Sequence, residues 1–515
     1  MKFFSVIFFS FFVSVSFSQS LFDSAIDSLL NPDLKPFYFG VASGDPHQTN
    51  VIIWTKVWVE NQQPVKVKWQ VASDTSIQNI VAQGEGEAMV SSAYTVKILV
   101  ENLKPSTTYF YRFESDGFYS PIGRTKTSPV NAESIKFAVV SCNNYQNGYY
   151  NVFRLIANRN DIDAVIHLGD YIYEGGIRTK KGKFNVRSHI PPREILSLQD
   201  YRTRFAQYRL EEDLQEIHRL HPFITEWDDH EFANDAYKDG SKNHKKEKVE
   251  WAERISNAKQ AYFEWLPITS NVDYKITRKI SYGNLADIFM LDTRTEERCK
   301  QVSPFDTMLK CETRTILGKT QTAWLRDGII NSAARWKVMA NQVVFSELDA
   351  HHLSKSTPIN TDAWDGYPIE RKELMDSFYK NNTKNIIVIT GDIHLSWGFD
   401  LVQNPKDKTR YNARTGMGVI GAEFVTPSVT SVGFEARVPK AFAPLAASII
   451  KRKSTNPHLR YQDLIKHGFI LLDLNETRAK ATWIYTKTVA EKTDKFTESK
   501  SFVTLYNANR LVKEK

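Results

Sequence analysis

The stretch Glu226 to Tyr237, EWDDHEFANDAY, holds five carboxylates, a histidine and an asparagine in twelve residues. Crowded acids repel one another and resist desolvation, so such a run is either a solvated loop or the surround of a cation. Three other segments end in residues of the same kind. Cys142 closes IKFAVVSC, Asp170 closes DAVIHLGD, and Asp392 and His394 follow NIIVIT. Each follows an apolar run of strand length, and in α/β sheets ligands bind beyond the carboxyl ends of the strands. Four segments therefore deliver a thiol, carboxylates and imidazoles to one edge, which favours a metal centre over a chance gathering of turn-forming aspartates.

The donor types narrow the chemistry. Carboxylates and asparagine suit hard cations such as Ca²⁺, Mg²⁺ or Mn²⁺, whereas a thiolate or phenolate suits iron or zinc. A mixed set implies more than one metal, with an aspartate shared between them. Neighbouring metals clamp the attacking and leaving oxygens of an in-line displacement, so phosphoester hydrolysis is the reaction class that fits such a set best.

Those strand ends need an α/β scaffold, and the chain supplies one. Strand, helix and strand follow within about thirty-five residues at IKFAVVSC, GYYNVFRLIANRND and DAVIHLGD, the pattern of a βαβ unit. Further apolar strands are predicted at ADIFMLDT, WKVMANQVVF, NIIVITGD and GAEFVTPS, with helices at EKVEWAERISNAKQAYFEWL and IERKELMDSFYK. The tail returns to strands at HGFILLDLN and KATWIYTKTV. Ahead of this region, residues 33–130 alternate with period two through VIIWTKV, VKVKWQVA, AYTVKILVENL and TTYFYRFES, which predicts an antiparallel β-sandwich. The segment LKPSTTYFYRF resembles the fibronectin type III family, whose members are usually scaffolds.

At 515 residues, 42% of them hydrophobic, the chain can bury more than one core. Its net charge of +8 is spread widely and densest at SKNHKKEK. That mild basicity suits an anionic substrate. It lacks the basic stripe with interleaved aromatics of a nucleic-acid binder, so nucleic acid is expected only as a substrate. The amino terminus, MKFFSVIFFSFFVSVSFSQS, reads as a secretory signal peptide over residues 1–18. The mature protein is expected to be exported to the periplasm or beyond, without a membrane span, and monomeric. Of three cysteines, Cys299 and Cys311 have the spacing of a local disulfide, which leaves Cys142 over.

Taken together, FGVASGDPHQTNVIIWT, SCN, HLGDYIYEGG, WDDHEFAND, LDTR, AWDGYPIER, GDIHLSWG and NPHLRYQDLIKHGF resemble the PhoD-like alkaline phosphatase family, in its order and from about Phe37 to Trp483. The resemblance implies a β-sandwich followed, over residues 135–510, by a metallophosphoesterase domain of two sheets flanked by helices (αββα). It implies hydrolysis of phosphate mono- and diesters at a centre of Fe³⁺ and Ca²⁺, with Zn²⁺, Mn²⁺ or Mg²⁺ as other occupants. By motif, Cys142 would ligate iron, Asp170 would bridge metals, and Tyr173, or else Tyr171, would supply a phenolate. Asp228, Asp229 and Asn234 or Asp235 would ligate calcium and iron, and Asp392 and His394 would complete the centre. His230 or His394 would protonate the leaving oxygen. Arg202, Arg204 and Tyr208 in YRTRFAQYR would neutralise phosphate oxygens, the alternative being an amphipathic helix with solvated basic residues. His167 reads as a core histidine. MKFF lacks the arginine pair of many family leaders, so the resemblance carries calcium further than iron. Two competing readings are a calcium-holding protein that binds a polymer without catalysis, and another metal-dependent esterase or nuclease.

Overall fold

The computed structural model describes residues 22–514 apart from 61–62, 178–184, 357 and 437–438; the leader expected over residues 1–18 lies outside the described residues. Two large sheets lie face to face. The first has ten strands, and at its centre Ser134–Val140, Ala164–Leu168 and Pro222–Glu226 run parallel. The second has seven, with Ala286–Met290, Trp336–Asn341, Ile386–Thr390 and Gly421–Val425 parallel. Phe137, Val139 and Ile166 of the first sheet meet Ile288, Val338 and Ile387 of the second in one core. Each of these strands is covered on both faces, which is why they read as continuous apolar runs rather than as alternating ones.

Helices close the outer faces. Asn151–Ala157, Leu198–Arg209, Glu212–Leu220 and Trp251–Trp265 cover the first sheet, and Gly318–Asn331 and Pro368–Lys380 cover the second. The order helices, sheet, sheet, helices is the αββα arrangement that the family resemblance implies. Among the described residues no helix is long and apolar enough to cross a membrane.

The amino-terminal sandwich is present but is not hydrogen-bonded as a separate unit. Its outer sheet is built on Val65–Ala72, Ile80–Ala88 and Thr108–Ser115. Its inner sheet, Val41–Gly44, Val51–Lys56 and Thr95–Val100, is the end of the ten-stranded sheet, because Val41–Gly44 pairs in parallel with Pro222–Glu226. Strand pairing therefore runs across residue 130. All six residues of Val51–Lys56 are buried: Val51 and Ile53 face the sandwich core, while Trp54 faces the helical layer and its indole N–H donates to the Glu264 carbonyl at 2.8 Å.

Candidate metal centre

The carboxyl ends of strands from both sheets turn toward a common edge, and the turns are tight. Cys142, Asp170, Asp392 and His394 have φ of 61°, 56°, 61° and 59°, and Asp235 has 56°. Left-handed backbone costs an ordinary residue roughly 1–2 kcal/mol, so its recurrence at these positions marks a site whose surroundings hold it in place. The surroundings are visible. The Cys142 N–H donates to the Gly169 carbonyl and the Asn143 N–H to that of Asp170, both at 3.1 Å, locking two turns together. The Glu231 carboxylate accepts the backbone N–H groups of Asp170, Tyr171, Ile172 and Asp228 at 2.9, 2.5, 3.2 and 2.6 Å. Gly169 itself has φ 89°, and a Cβ there would stand 2.4 Å from that of Asp228.

The polar atoms converge in overlapping sets, each within 4.8 Å: Cys142, Asp170 and His394; Asp170, Asp229 and His230; Asp228, Asp229 and Asp392; Asp229, Asp235 and Asp362. Asp170 and Asp229 link one set to the next, as shared ligands would. The Tyr173 hydroxyl donates to Asp170 at 2.7 Å and lies 3.3 Å from His394 Nε2. His394 Nδ1 donates to the Val432 carbonyl at 2.8 Å, which leaves Nε2 on the side of Cys142 and Asp170. The cluster is graded: thiol, phenol and imidazole at one end, carboxylates alone at the other.

That donor set fits cations. Among the described residues the six aspartates at 170, 228, 229, 235, 362 and 392 meet Arg294, Arg298, the exposed Lys242 and the imidazole of His230, which still leaves an excess of carboxylates over cations in a buried place. Asp228 Oδ2 is buried without a partner. Burial, with the neighbouring carboxylates and against the attraction of Arg294, pushes Asp228 and Asp392 well above the usual carboxylate range and Asp229 up to about 6. Burial also pushes the Cys142 thiol and the Tyr173 phenol up, with Asp170 adding to both. Groups so placed ionise readily only beside added positive charge.

The structure places Asn234 and Asp235 along the same cleft, with Lys242 3.2 Å from Asp235. Of the two tyrosines, Tyr173 faces Asp170 whereas the Tyr171 hydroxyl turns away to His218 at 2.9 Å. His167 is buried, held by Asn143 Oδ1 at 2.7 Å, and burial lowers it to about 3. His230 is held by Glu174 at 2.6 Å and lies against the Tyr173 ring, centroids 4.2 Å apart. Cys299 and Cys311 stand as free thiols on either side of Thr313.

Arg202, Arg204 and Tyr208 are not brought to the cluster, which corrects the phosphate-binding expectation for them. Their helix is buried along most of its length instead of presenting a solvated face. Arg202 pairs with Glu264 at 2.5 and 2.8 Å; Arg204 donates to carbonyls of Tyr173, Gly175, Ile190, Pro191 and Arg193. The Tyr208 hydroxyl contacts His189 at 3.0 Å. Arg204 thus braces the chain after Tyr173 without facing the cleft. The arginine at the centre is Arg294 of LDTR, fully buried, which contacts Asp228, Asp362 at 2.8 Å and Asp392 at 3.0 Å. Asp362, joined also by Arg298 at 2.7 Å and Gln301 at 2.6 Å, stands one residue before AWDGYPIER. Sequence reading missed Glu174, Glu231 and Asp362; the LDTR motif was the one available pointer to Arg294.

The cluster opens into a cleft of about 1080 Å³. Asp170, Asp229, His230, Asp392 and His394 form its floor, Lys242 and Lys300 stand along it, and Leu348, Leu353, Ile359, Phe434 and Ile450 give it an apolar side.

The PhoD-like phosphatase family matches residues 137–483, and the PhoD-like phosphatase N-terminal domain matches 25–129. Alkaline phosphatase D of Bacillus subtilis (strain 168) is 36% identical over 443 residues, 82% of this chain and 74% of that protein. A solved structure of PhoD superposes with a TM-score of 0.84 at 33% identity, covering 94% of this chain and 93% of the other. A purple acid phosphatase, PPD1 from yellow lupin seeds, shares the fold at a TM-score of 0.53 and 12% identity, over 90% of this chain and 73% of that one.

Proposed function

The chain belongs to the PhoD-like phosphatase family and is a phosphoric-ester hydrolase, and from that premise we propose an exported alkaline phosphatase and phosphodiesterase working at a multinuclear centre of Fe³⁺ and Ca²⁺. The observation that carries the metals is the graded donor set around Asp170. Cys142, Tyr173 and His394, with Asp170 shared, would hold Fe³⁺; Asp228, Asp229, Asn234, Asp235 and Asp392, with Asp362 beside them, would hold Ca²⁺. Bound there, the cations supply charge neutralisation for phosphoryl oxygens and a lowered pKa for water.

The remaining work falls to side chains. His230 is the proton donor in this reading: burial opposes its charge, but Glu174, which faces it at 2.6 Å, and the nearby Asp170 and Asp229 favour it and raise it above the ordinary histidine value. Anchored through Nδ1, it delivers that proton from Nε2 to the leaving oxygen. Arg294 keeps Asp228, Asp362 and Asp392 at fixed spacing. Lys242 and Lys300 favour the approach of an anionic ester, and the cleft volume leaves room for a second ester substituent. The leader read at residues 1–18 supports an extracytoplasmic site of action.

The test is elemental analysis of the purified protein combined with hydrolysis of p-nitrophenyl phosphate and bis(p-nitrophenyl) phosphate, before and after chelation. Iron with calcium and chelator-sensitive turnover is the expected result. A well-folded, metal-free and inactive protein would sink the reading.

A further inference from the structure

Exposed apolar side chains are common singly on protein surfaces, but two segments of this chain concentrate them beside the cleft. The first is the helix Ala443–Ile450 with the residue before it. Ala446 and Ile450 are buried against the outer core of the second sheet, while Phe442 and Leu445 are 57% and 59% exposed. The second is the loop between Cys299 and Cys311. Its Gln301, Val302 and Pro304 line the cleft, while Phe305 and Met308 are 67% and 50% exposed. Ile450, at the end of that helix, also lines the cleft, as does Phe434.

Charge accompanies the apolar surface. Lys451, Arg452 and Lys453 follow the helix directly and are exposed. Among the described residues none of the three pairs with a carboxylate. Lys451 is pushed below the usual lysine range, first by burial and then by the nearby cations Lys500 and Arg460. Lys300 adds a further exposed cation on the other segment. A short helix with exposed bulky apolar residues and a basic run at its end is the chemistry of a segment that lies in a membrane interface. A run of basic residues with no carboxylate partner among the described residues selects an anionic surface. A soluble protein partner would give the apolar residues a complementary surface but would leave three adjacent cations to be matched one by one; a sheet of anionic headgroups matches them all.

We propose that the surface beside the cleft formed by Phe442, Leu445 and Lys451–Lys453, with Phe305 and Met308 of the loop between Cys299 and Cys311, docks this protein onto an anionic phospholipid bilayer. Phe442 and Leu445 enter the headgroup boundary, and the three basic residues meet lipid phosphates. The apolar side of the cleft then continues from the bilayer surface to the metal cluster. Docking stands apart from the hydrolytic reading, since it is read by binding alone.

The experiment is co-sedimentation of the purified, metal-loaded protein with vesicles of phosphatidylcholine alone and of phosphatidylcholine with phosphatidylglycerol. The parent should pellet with the anionic vesicles and remain in solution with the neutral ones. The double variant Phe442→Ser, Leu445→Ser and the triple variant Lys451→Glu, Arg452→Glu, Lys453→Glu should each weaken that binding by about tenfold or more. Turnover of soluble bis(p-nitrophenyl) phosphate should match the parent in both, which shows that fold and centre are intact. Three results would overturn the proposal: a parent that stays in solution with both vesicles, equal pelleting on neutral vesicles, or variants that bind as the parent does. Self-association that the double variant abolishes, without vesicle binding, would assign the surface to a second copy of the chain instead.

Discussion

The Glu231 carboxylate takes four backbone N–H groups, three from the turn bearing Asp170 and one from Asp228, and so fixes two candidate ligand turns with one side chain. Glu231→Gln keeps the volume but replaces an acceptor oxygen with a donor that faces N–H groups. We expect metal retained after dialysis to fall about 10–100-fold, as for other groups that orient ligands, with the far-ultraviolet circular dichroism preserved. Parent-like metal content would remove Glu231 from that role. A second residue tests electrostatics far from the centre. His458 is buried against the Glu347 carbonyl at 2.9 Å, and burial lowers it to about 4. Its folded value lies below the unfolded one near 6.5, so the unfolded chain takes up a proton that the folded chain refuses between those limits. The contribution of His458 to stability is therefore full above pH 6.5 and is lost as pH falls toward 4, at up to about 1.4 kcal/mol per unit. In His458→Gln the pH slope of the urea-unfolding free energy across that window should change by one proton; an unaltered slope would show that His458 titrates normally.

At the scale of elements, the centre depends on how closely the strand ends approach. Gly169 shows the tolerance: a methyl group there meets the Asp228 Cβ at 2.4 Å and its backbone nitrogen at 2.5 Å, on a φ of 89°. Neither neighbour is a flexible tip that could yield. Gly169→Ala should cost more than about 2 kcal/mol and lower the melting temperature by several degrees. Gly175→Ala, where a methyl group would meet nothing within 4 Å, should leave melting near the parent value. Equal melting of the two variants would show that the turn has slack. The helix Leu198–Arg209 illustrates the converse. Its Ser197 and Asp200 form a capping box, but its Arg202 and Arg204 are buried and spent on Glu264 and on backbone carbonyls.

Across the whole molecule, the shared ten-stranded sheet makes the sandwich part of the catalytic architecture. Removing residues 22–130 would strip Val41–Gly44 from Pro222–Glu226 and uncover Trp265, against which the Phe39 ring lies at 5.1 Å. The strand so exposed leads directly into Asp228 and Asp229. We expect the truncated chain to aggregate or to show non-cooperative thermal unfolding, since an unpaired edge beside bare aromatic surface favours association. A soluble, cooperatively melting fragment of residues 131–515 would show that the pairing across residue 130 is dispensable.

The strand ends carrying Cys142, Asp170, Asp228 and Asp392 were legible without a structure, because buried parallel strands require continuous apolar runs and the residues after them stand out by contrast. The family motifs were legible for a different reason: they lie in one order on nearly the whole chain. What only the tertiary structure decided is where long side chains point. Arg202 and Arg294 look alike in sequence, yet one is spent on Glu264 and the other stands among four aspartates. Asp362 and Glu231 likewise gain their places from chain segments far away in sequence. Periodicity reports which face of an element is buried; it carries no information on which charged groups from other segments are buried with it, and those partners determine what a charge does.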